Sequence, residues 1–292
     1  MKIFSSIAKY FSLVKFSHTV FALPFAFIGF FLGSDEIYNN FDIKLFLLVF
    51  LCMVLARSSA MAFNRYLDRS FDKKNPRTAI REIPSGKISP TTALVFTIVS
   101  ATAFIVTTYF INLLCFFLSP VALLVIMGYS YTKRFTPLCH LVLGLGLALA
   151  PIGAYIAVTA HFAVVPVLYS FAVLFWVSGF DIIYALQDIE FDKSQNLKSI
   201  PVVIGIKNSL ILSGLFHFVT AAIIIYNGIF LNFGMFYWIG SLIYILLLIY
   251  QHLIVKPSDL SRINLAFVTL NGFASISFGV FVIAEIISKW LI

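Results

Sequence analysis

Two segments of the sequence carry carboxylate side chains at helical spacing, and the first also carries an amide. Asn64, Asp68 and Asp72 lie at positions i, i+4 and i+8, so we expect them on one face of a helix end. Carboxylates one turn apart repel each other, which calls for a cation nearby. Hard oxygen ligands favour Mg²⁺, which binds through one or two carboxylates together with substrate phosphates.

The second segment repeats this acidic pattern further along the chain. Asp181, Asp188 and Asp192 lie at offsets of 0, 7 and 11 residues, which again places them on one helical face, with Tyr184 beside them. The local sequences are also similar, FDKKN at 71–75 and FDKSQN at 191–196. The chain therefore resembles a parallel duplication with halves at roughly 1–136 and 137–292, which would bring the two acidic stripes together within a single domain.

Basic side chains are predicted near the same stripes. Lys133 and Arg134 end one apolar segment and Lys15 begins the first, so the three are expected at the same membrane face. Carboxylates that hold Mg²⁺, surrounded by Lys and Arg, form a pocket suited to a diphosphate. Arg57 precedes Asn64 by seven residues and lies two turns deeper, where an arginine is functional by default. A clamp on a substrate carboxylate or hydroxyl is its natural use.

The composition indicates that membrane-spanning helices position these side chains. Of the 292 residues, 61% are hydrophobic and only 11% are charged, with a mean hydropathy of +1.01, whereas soluble domains carry about 25% charged residues. This excludes an ordinary soluble enzyme, a secreted disulfide scaffold and a disordered chain. The three cysteines specify no disulfide framework, and the five histidines lack the spacing of metal ligands. We predict an all-α, polytopic bundle in the lipid bilayer.

Apolar windows of about 19 residues predict about nine transmembrane helices. They are placed at residues 16–33, 44–63, 91–111, 113–131, 137–157, 163–187, 208–226, 233–251 and 264–288. With a cytoplasmic N-terminus, all but two of the 20 basic residues, Lys44 and Lys289, fall on the cytoplasmic side. The net charge of +8 therefore reports orientation and no nucleic-acid partner. We expect a multi-pass protein of the cytoplasmic (inner) membrane, with its active site at the cytoplasmic face.

These residues together resemble the UbiA family of intramembrane aromatic prenyltransferases. The first family signature, N-x-x-x-D-x-x-x-D, is matched by Asn64, Asp68 and Asp72, with Arg57 at its upstream arginine. The loop that follows is matched by Arg77, Thr78, Arg81, Pro84, Ser85 and Gly86. The second signature is matched by Asp181, Tyr184, Asp188 and Asp192, and the element between the two by Tyr129, Lys133 and Arg134. The resemblance spans almost the whole chain.

The resemblance implies a nine-helix fold and transfer of a polyprenyl group from polyprenyl diphosphate to a small aromatic acceptor. It implies that Mg²⁺ is held by four of the catalytic carboxylates, Asp68, Asp72, Asp188 and Asp192, with Asp181 as a fifth catalytic residue. The implied substrate-binding residues are Lys15, Arg57, Asn64, Arg77, Tyr129, Lys133, Arg134 and Tyr184. The apolar helix walls would hold the isoprenoid tail.

The sequence leaves the identity of the aromatic acceptor open. Many 4-hydroxybenzoate enzymes of the family read N-R-P-L-P-S-G in the first loop, whereas this chain reads I-R-E-I-P-S-G at 80–86. The latter form resembles a branch associated with the futalosine route to menaquinone. The alternatives are 4-hydroxybenzoate, as in ubiquinone biosynthesis, a naphthoate in menaquinone biosynthesis, or another aromatic compound. A secondary transporter is the alternative from another class, but transporter sites lie near the membrane midplane, whereas these acids gather at one face.

Overall fold

The computed structural model describes residues 12–14, 21–37 and 39–291, and within these residues the secondary structure elements are all helices. The helices are α1 (Leu23–Ile37), α2 (Ile43–Leu67), α3 (Arg69–Lys74), α4 (Pro90–Tyr109), α5 (Leu113–Thr132), α6 (Cys139–Thr159), α7 (Val164–Ala185), α8 (Ile189–Ser194), α9 (Ile200–Phe230), α10 (Met235–Ile254) and α11 (Asn271–Trp290). A 3₁₀ turn (Leu186–Asp188) joins α7 to α8, and a π-helical segment (Leu265–Leu270) leads into α11.

Eight helices in the described part of the chain are long and apolar enough to cross a membrane, so the protein is a multi-pass integral membrane protein. The predicted helix at 16–33 corresponds to α1, which has only 15 residues in the described range. The other eight predictions each fall on one of the long helices. The helix predicted at 208–226 falls in α9 (Ile200–Phe230), whose helical backbone is interrupted at Gly205 (φ 74°, ψ 172°), so the span itself follows Gly205, close to the predicted start. The orientation of the termini stays a prediction.

Polar residues at the helix ends explain where several spans begin. Asp42 accepts a hydrogen bond from the Leu45 amide at 3.0 Å at the start of α2. Ser89 does the same for the Thr92 amide at 3.0 Å, with Pro90 in the first turn of α4. Each side chain satisfies a backbone N–H group that the helix leaves without a partner, and Pro suits a first turn because it has no N–H to lose.

Small residues let the helices approach closely around α6. A Cβ on Gly29 of α1 would lie 2.0 Å from the Pro151 carbonyl oxygen of α6. A Cβ on Gly144 of α6 would lie 2.5 Å from the Leu174 carbonyl oxygen of α7. Only glycine fits at either position, as is common where helices pack in a membrane. These contacts fix α6 between α1 and α7, where it forms a wall of the candidate site.

Candidate active site

The two acidic segments share one local architecture. The α2 helix ends at Leu67 and Asp68 follows with φ −90° and ψ 6°, before the six-residue helix α3. In the second segment Asp188 has φ −107° and ψ 5°, before the six-residue helix α8. Both aspartates therefore occupy the sparsely populated bridge region, at a break between two helices. The end of the bundle that carries these breaks is called the motif end below.

The breaks change the predicted stripes in different ways. Across the first break the helical hydrogen bonds continue, since the Asp68 amide donates to Asn64 O at 2.9 Å and the Asp72 amide donates to Asp68 O at 2.8 Å. Asn64, Asp68 and Asp72 thus keep their expected order along one surface. In the second segment α7 ends at Ala185, and a 3₁₀ turn (Leu186–Asp188) lies between Asp181 and Asp192. The shared face expected for the second stripe stays a prediction.

Each of the four aspartates nearest the two breaks is paired with a basic side chain. The pairs are Asp68 with Arg134 (2.9 Å), Asp72 with Arg81 (2.6 Å), Asp188 with Arg77 (2.5 Å) and Asp192 with Lys133 (2.8 Å). Two of the four cations, Lys133 and Arg134, are residues that the sequence assigned to a diphosphate pocket, and Arg77 is one of the substrate-binding residues that the resemblance implied. In this structure they neutralise the carboxylates directly, which offsets the repulsion between neighbouring acids.

The basic residues also join the two acidic segments to each other. Lys133 and Arg134 are consecutive, yet Lys133 contacts the second segment and Arg134 the first. Arg77 follows the first segment along the chain and donates to both oxygens of Asp188 in the second, through Nε at 3.1 Å and Nη2 at 2.5 Å. Asn75 also donates to Asp188, at 3.2 Å. The structure therefore brings the predicted residues of both segments to one place.

Burial and charge act in opposite directions on the ionisable groups here. Burial raises the pKa of the Asp68 carboxyl to about 6, although the Arg134 guanidinium opposes the rise. Burial alone would lower the pKa of Lys133, but the Asp192 carboxylate outweighs that effect and raises it. Lys133 is therefore charged at neutral pH, whereas the raised pKa means that Asp68 holds its proton more tightly than an exposed aspartate, despite the nearby cations.

The donor set fits a hard divalent cation, although no three acidic, His or Cys side chains converge on one point within the described residues. The four paired groups are all carboxylates, and Asn64 adds an amide that donates to Asp68 Oδ2 at 3.1 Å. Asp72 Oδ2 is buried and accepts no hydrogen bond from any residue that the structure describes. A buried oxygen of this kind is costly without a partner. A metal at this oxygen would supply the missing partner while Arg81 holds the other oxygen of Asp72.

A polar cleft of about 490 Å³ is lined by Arg77 and Arg81, the partners of Asp188 and Asp72. Among the residues that line it are Arg57, Asn64, Arg77, Arg81, Tyr129, Asp181 and Tyr184. The Tyr184 hydroxyl accepts a hydrogen bond from Arg77 Nη1 at 2.9 Å, and its ring stacks on Phe267 with the centroids 4.0 Å apart. Most of the predicted substrate-binding residues therefore face one cleft. Lys15 lies outside the described residues.

An apolar cavity of about 220 Å³ opens from the polar cleft toward the other end of the bundle. Five residues line both spaces, namely Arg57, Met61, Tyr129, Leu143 and Leu147. Arg57 is thus placed deeper than Asn64, as its spacing predicted, at the junction between charged and apolar surroundings. A molecule with a charged head and an apolar tail fits this pair of spaces.

Asp181 differs from the other aspartates because its partner is a histidine. His140 Nδ1 lies 2.6 Å from Asp181 Oδ2, and the His140 side chain, at the start of α6, is buried. His140 Nε2 has no hydrogen-bond partner among the described residues. The pair forms a His–Asp dyad in which the ring nitrogen donates to the carboxylate. No sequence signal indicates this pair, because 41 residues separate the two positions and His140 belongs to no motif.

The Asp72–Arg81 pair predicts an effect on stability. The side chains are 7% and 21% exposed, and removing one partner of a buried pair leaves the other charge uncompensated. We expect Arg81→Met to destabilise the protein by about 2 kcal/mol, below the roughly 3–5 kcal/mol of fully buried pairs because Arg81 reaches solvent. Asp72→Asn should cost less, since the remaining guanidinium can turn outward. Thermal unfolding in detergent distinguishes the two, and equal melting temperatures would contradict the expectation.

Comparisons with known proteins agree with this geometry. A family model described as "UbiA prenyltransferase family" matches residues 22–276. A 4-hydroxybenzoate octaprenyltransferase of Francisella tularensis subsp. tularensis (strain WY96-3418) is 29% identical over 250 residues, covering 86% of each chain. The apo structure of a UbiA homolog from Aeropyrum pernix K1 matches with a TM-score of 0.79 and 28% identity, over 93% of this chain and 98% of that one. A UbiA homolog from Archaeoglobus fulgidus, bound to GPP and Mg²⁺, matches with a TM-score of 0.69 and 24% identity, over 96% and 99%.

Proposed function

Because the chain belongs to the UbiA prenyltransferase family, we propose that it transfers a polyprenyl group from polyprenyl diphosphate to an aromatic acid such as 4-hydroxybenzoate, in quinone biosynthesis. The observation that carries this proposal is the junction of the polar cleft with the apolar cavity at Arg57 and Tyr129. The diphosphate head fits among the charged side chains and the tail fits the cavity. The name of the Francisella relative supports these donor and acceptor classes.

Mg²⁺ is the proposed cofactor, and its presence with GPP in the Archaeoglobus homolog supports this assignment. When bound, Mg²⁺ neutralises the negative charge that develops on the departing diphosphate. The all-carboxylate donor set and the unpartnered Asp72 Oδ2 suit such a hard cation. The proposed ligands are Asp68, Asp72, Asp188 and Asp192.

The basic residues of the site are proposed to exchange partners when the donor binds. Arg77, Lys133 and Arg134 each hold a carboxylate in this structure. A metal bound to these carboxylates would free the three side chains to contact diphosphate oxygens, for which guanidinium and ammonium groups are suited. The same charges would lie close together before and after the donor binds, although the pairs that they form would change.

The transfer itself is proposed to occur at the junction of the two spaces. The bond between C1 and the diphosphate oxygen breaks, and its electron pair leaves with the diphosphate. A ring carbon of the acceptor attacks C1, and a carbon–carbon bond forms. The ring then loses a proton and regains aromaticity. Asp181 lines the cleft and is the proposed acceptor of this proton, with its carboxylate held in place by His140. Arg57 is proposed to bind the carboxylate of the acceptor.

The proposed location is the cytoplasmic (inner) membrane, with the motif end at the cytoplasmic face. The orientation rests on the basic residues, of which all but Lys44 and Lys289 sort to one side. The site would then be open to soluble aromatic acids from the cytoplasm, while the polyprenyl donor stays in the bilayer. Reporter fusions to the two termini test the topology, and a cytoplasmic C-terminus would contradict it.

The direct test of the function is prenyl transfer by the purified protein in detergent. A polyprenyl diphosphate is supplied with Mg²⁺ or with EDTA, and with 4-hydroxybenzoate or hydroxylated and carboxylated naphthalenes. We expect product with one acceptor in Mg²⁺ and a loss of product in EDTA that added Mg²⁺ reverses, because charge neutralisation of the diphosphate is lost with the metal.

The other outcomes of this experiment separate the alternatives. Product with a naphthoate alone would assign the protein to menaquinone biosynthesis, which the I-R-E-I-P-S-G loop at 80–86 favours. Donor binding in Mg²⁺ without any product would move the acceptor outside the panel. Absence of donor binding in Mg²⁺ would contradict the proposed function and favour the transporter.

A further inference from the structure

The apolar cavity is lined along α6 by one face of mostly small side chains. Gly146, Ala150, Gly153, Ala154 and Ala157 all line it. They follow Leu143 at offsets of 3, 7, 10, 11 and 14 residues, which is the repeat of a single helical face. Small residues on this face leave the space that larger ones would fill. Gly153 is exposed, and a Cβ there would meet no atom within 4 Å, so the wall of the cavity is open beside this residue.

The far end of the cavity is closed by a cross-link between two helix ends. Asn112 caps α5 by accepting a hydrogen bond from the Cys115 amide at 2.8 Å. Its side-chain amide also donates to the Ile156 carbonyl at 2.9 Å and to the Ala157 carbonyl at 3.2 Å. Ile111, Cys115, Ile156 and Ala157, which flank these bonds, all line the cavity. The bonds therefore tie α5 to the end of α6 and form a floor.

The length of the cavity can be measured along α6. Leu143 marks the junction with the polar cleft, and Ala157 marks the floor. Fourteen residues of helix span about 21 Å, and Gly153 lies about 15 Å from the junction. At the bond lengths of a carbon chain, the eight-carbon backbone of a geranyl tail extends roughly 10 Å and the sixteen-carbon backbone of a geranylgeranyl tail roughly 20 Å. The first stops short of Gly153, and the second reaches the floor.

We propose that the apolar cavity accommodates about the first four isoprene units of the donor, and that Gly153 determines which tail lengths fit. This inference rests on the proposed prenyl transfer and adds the residue that selects the tail. Units beyond the fourth do not fit between the junction and the Asn112 floor, so they must leave the cavity. The kcat/KM of the wild type should therefore rise from geranyl to geranylgeranyl diphosphate and stay level for longer donors.

The test is Gly153→Leu, which places a branched side chain in the open space beside the tail. We expect kcat/KM for geranylgeranyl diphosphate to fall at least about tenfold relative to geranyl diphosphate, as occurs when a few carbon atoms no longer fit an apolar pocket. Gly128→Leu is the matched control, because a Cβ at Gly128 also meets no atom within 4 Å and Gly128 does not line the cavity. Ile111→Ala at the floor should act in the opposite direction and raise the preference for the longer donor.

A binding measurement keeps this inference separate from the transfer reaction. Thermal stabilisation by geranyl and geranylgeranyl diphosphate in Mg²⁺ is compared without any acceptor. Loss of the preference for the longer donor in Gly153→Leu, with Gly128→Leu like wild type, supports the inference even if no product forms. An equal effect of Gly153→Leu on both donors, or no effect on either, overturns it. Failure of the wild type to form product with any acceptor counts against the proposed function alone.

Discussion

Replacing Asp188 by Asn should lower prenyl transfer by about 10²- to 10³-fold while the helical bundle stays folded. The reason is the loss of negative charge at a proposed metal ligand, since charge stabilisation of the leaving diphosphate is the main catalytic contribution expected here, and loss of a single stabilising group can cost about 10²–10³ in rate. In the wild type, Arg77 donates hydrogen bonds to both Asp188 oxygens. Asn keeps the shape of the side chain, and its single oxygen can still accept a hydrogen bond from Arg77. Packing should therefore change little.

The control for this substitution lies two residues away. The Glu190 side chain is 90% exposed, so Glu190→Gln removes one negative charge from the same segment without removing a proposed ligand, and it should retain wild-type turnover. Product formation at saturating donor, the melting temperature and the elution profile in detergent are measured for both variants. Asp68→Asn and Asp72→Asn should behave like Asp188→Asn. Wild-type turnover in any of the three would rule out the proposed metal site.

The fold could be predicted because membrane helices have a distinctive sequence pattern. With no water in the bilayer core, each span must satisfy its own backbone polar groups and present apolar side chains over about 20 residues. The predicted helix at 113–131 therefore agrees closely with α5 (Leu113–Thr132). The prediction at 208–226 begins just after Gly205, where non-helical backbone angles interrupt α9.

The residues of the candidate site were predictable for a different reason, namely periodicity. Asn64, Asp68 and Asp72 recur every four residues, and such spacing by itself indicates a shared helical face. An even number of crossings between two such segments puts both at the same end of the bundle. The contacts across that end were not predictable. Nothing in the sequence indicates that neighbouring Lys133 and Arg134 hold carboxylates from different segments.

Contacts between distant positions account for the other omissions. The Asp181–His140 pair and the bonds from Asn112 to the end of α6 join residues 41 to 45 positions apart. They depend on how α5, α6 and α7 pack, and Gly144 fixes that packing because only glycine fits against Leu174. A single sequence contains these residues but not their distances. The shared helical faces of the charged residues are accessible from sequence, whereas the partners that hold them in place are not.

Replacing Arg57 by Ala should weaken the use of the acceptor far more than the use of the donor. Arg57 lies at the junction of the polar cleft and the apolar cavity, where an acceptor carboxylate would meet C1 of the donor. A hydrogen bond to a charged group contributes about 1.5–3 kcal/mol, so we expect the KM for the aromatic acid to rise about 10- to 100-fold. The KM for polyprenyl diphosphate should stay within about threefold, since its head binds among other cations.

The matched control for Arg57→Ala is Arg69→Ala. Arg69 is exposed, donates to the Tyr66 carbonyl at 2.6 Å and lies 4.4 Å from the centroid of the Tyr66 ring, so its loss removes one positive charge near the motif end without touching the cleft. Both KM values are measured for each variant at a saturating level of the other substrate. An equal rise in both KM values would mean that Arg57 stabilises the site as a whole, which would contradict its proposed role as the ligand of the acceptor carboxylate. A selective rise for acceptors that carry a carboxylate, with none for a matched phenol, would assign Arg57 to that carboxylate.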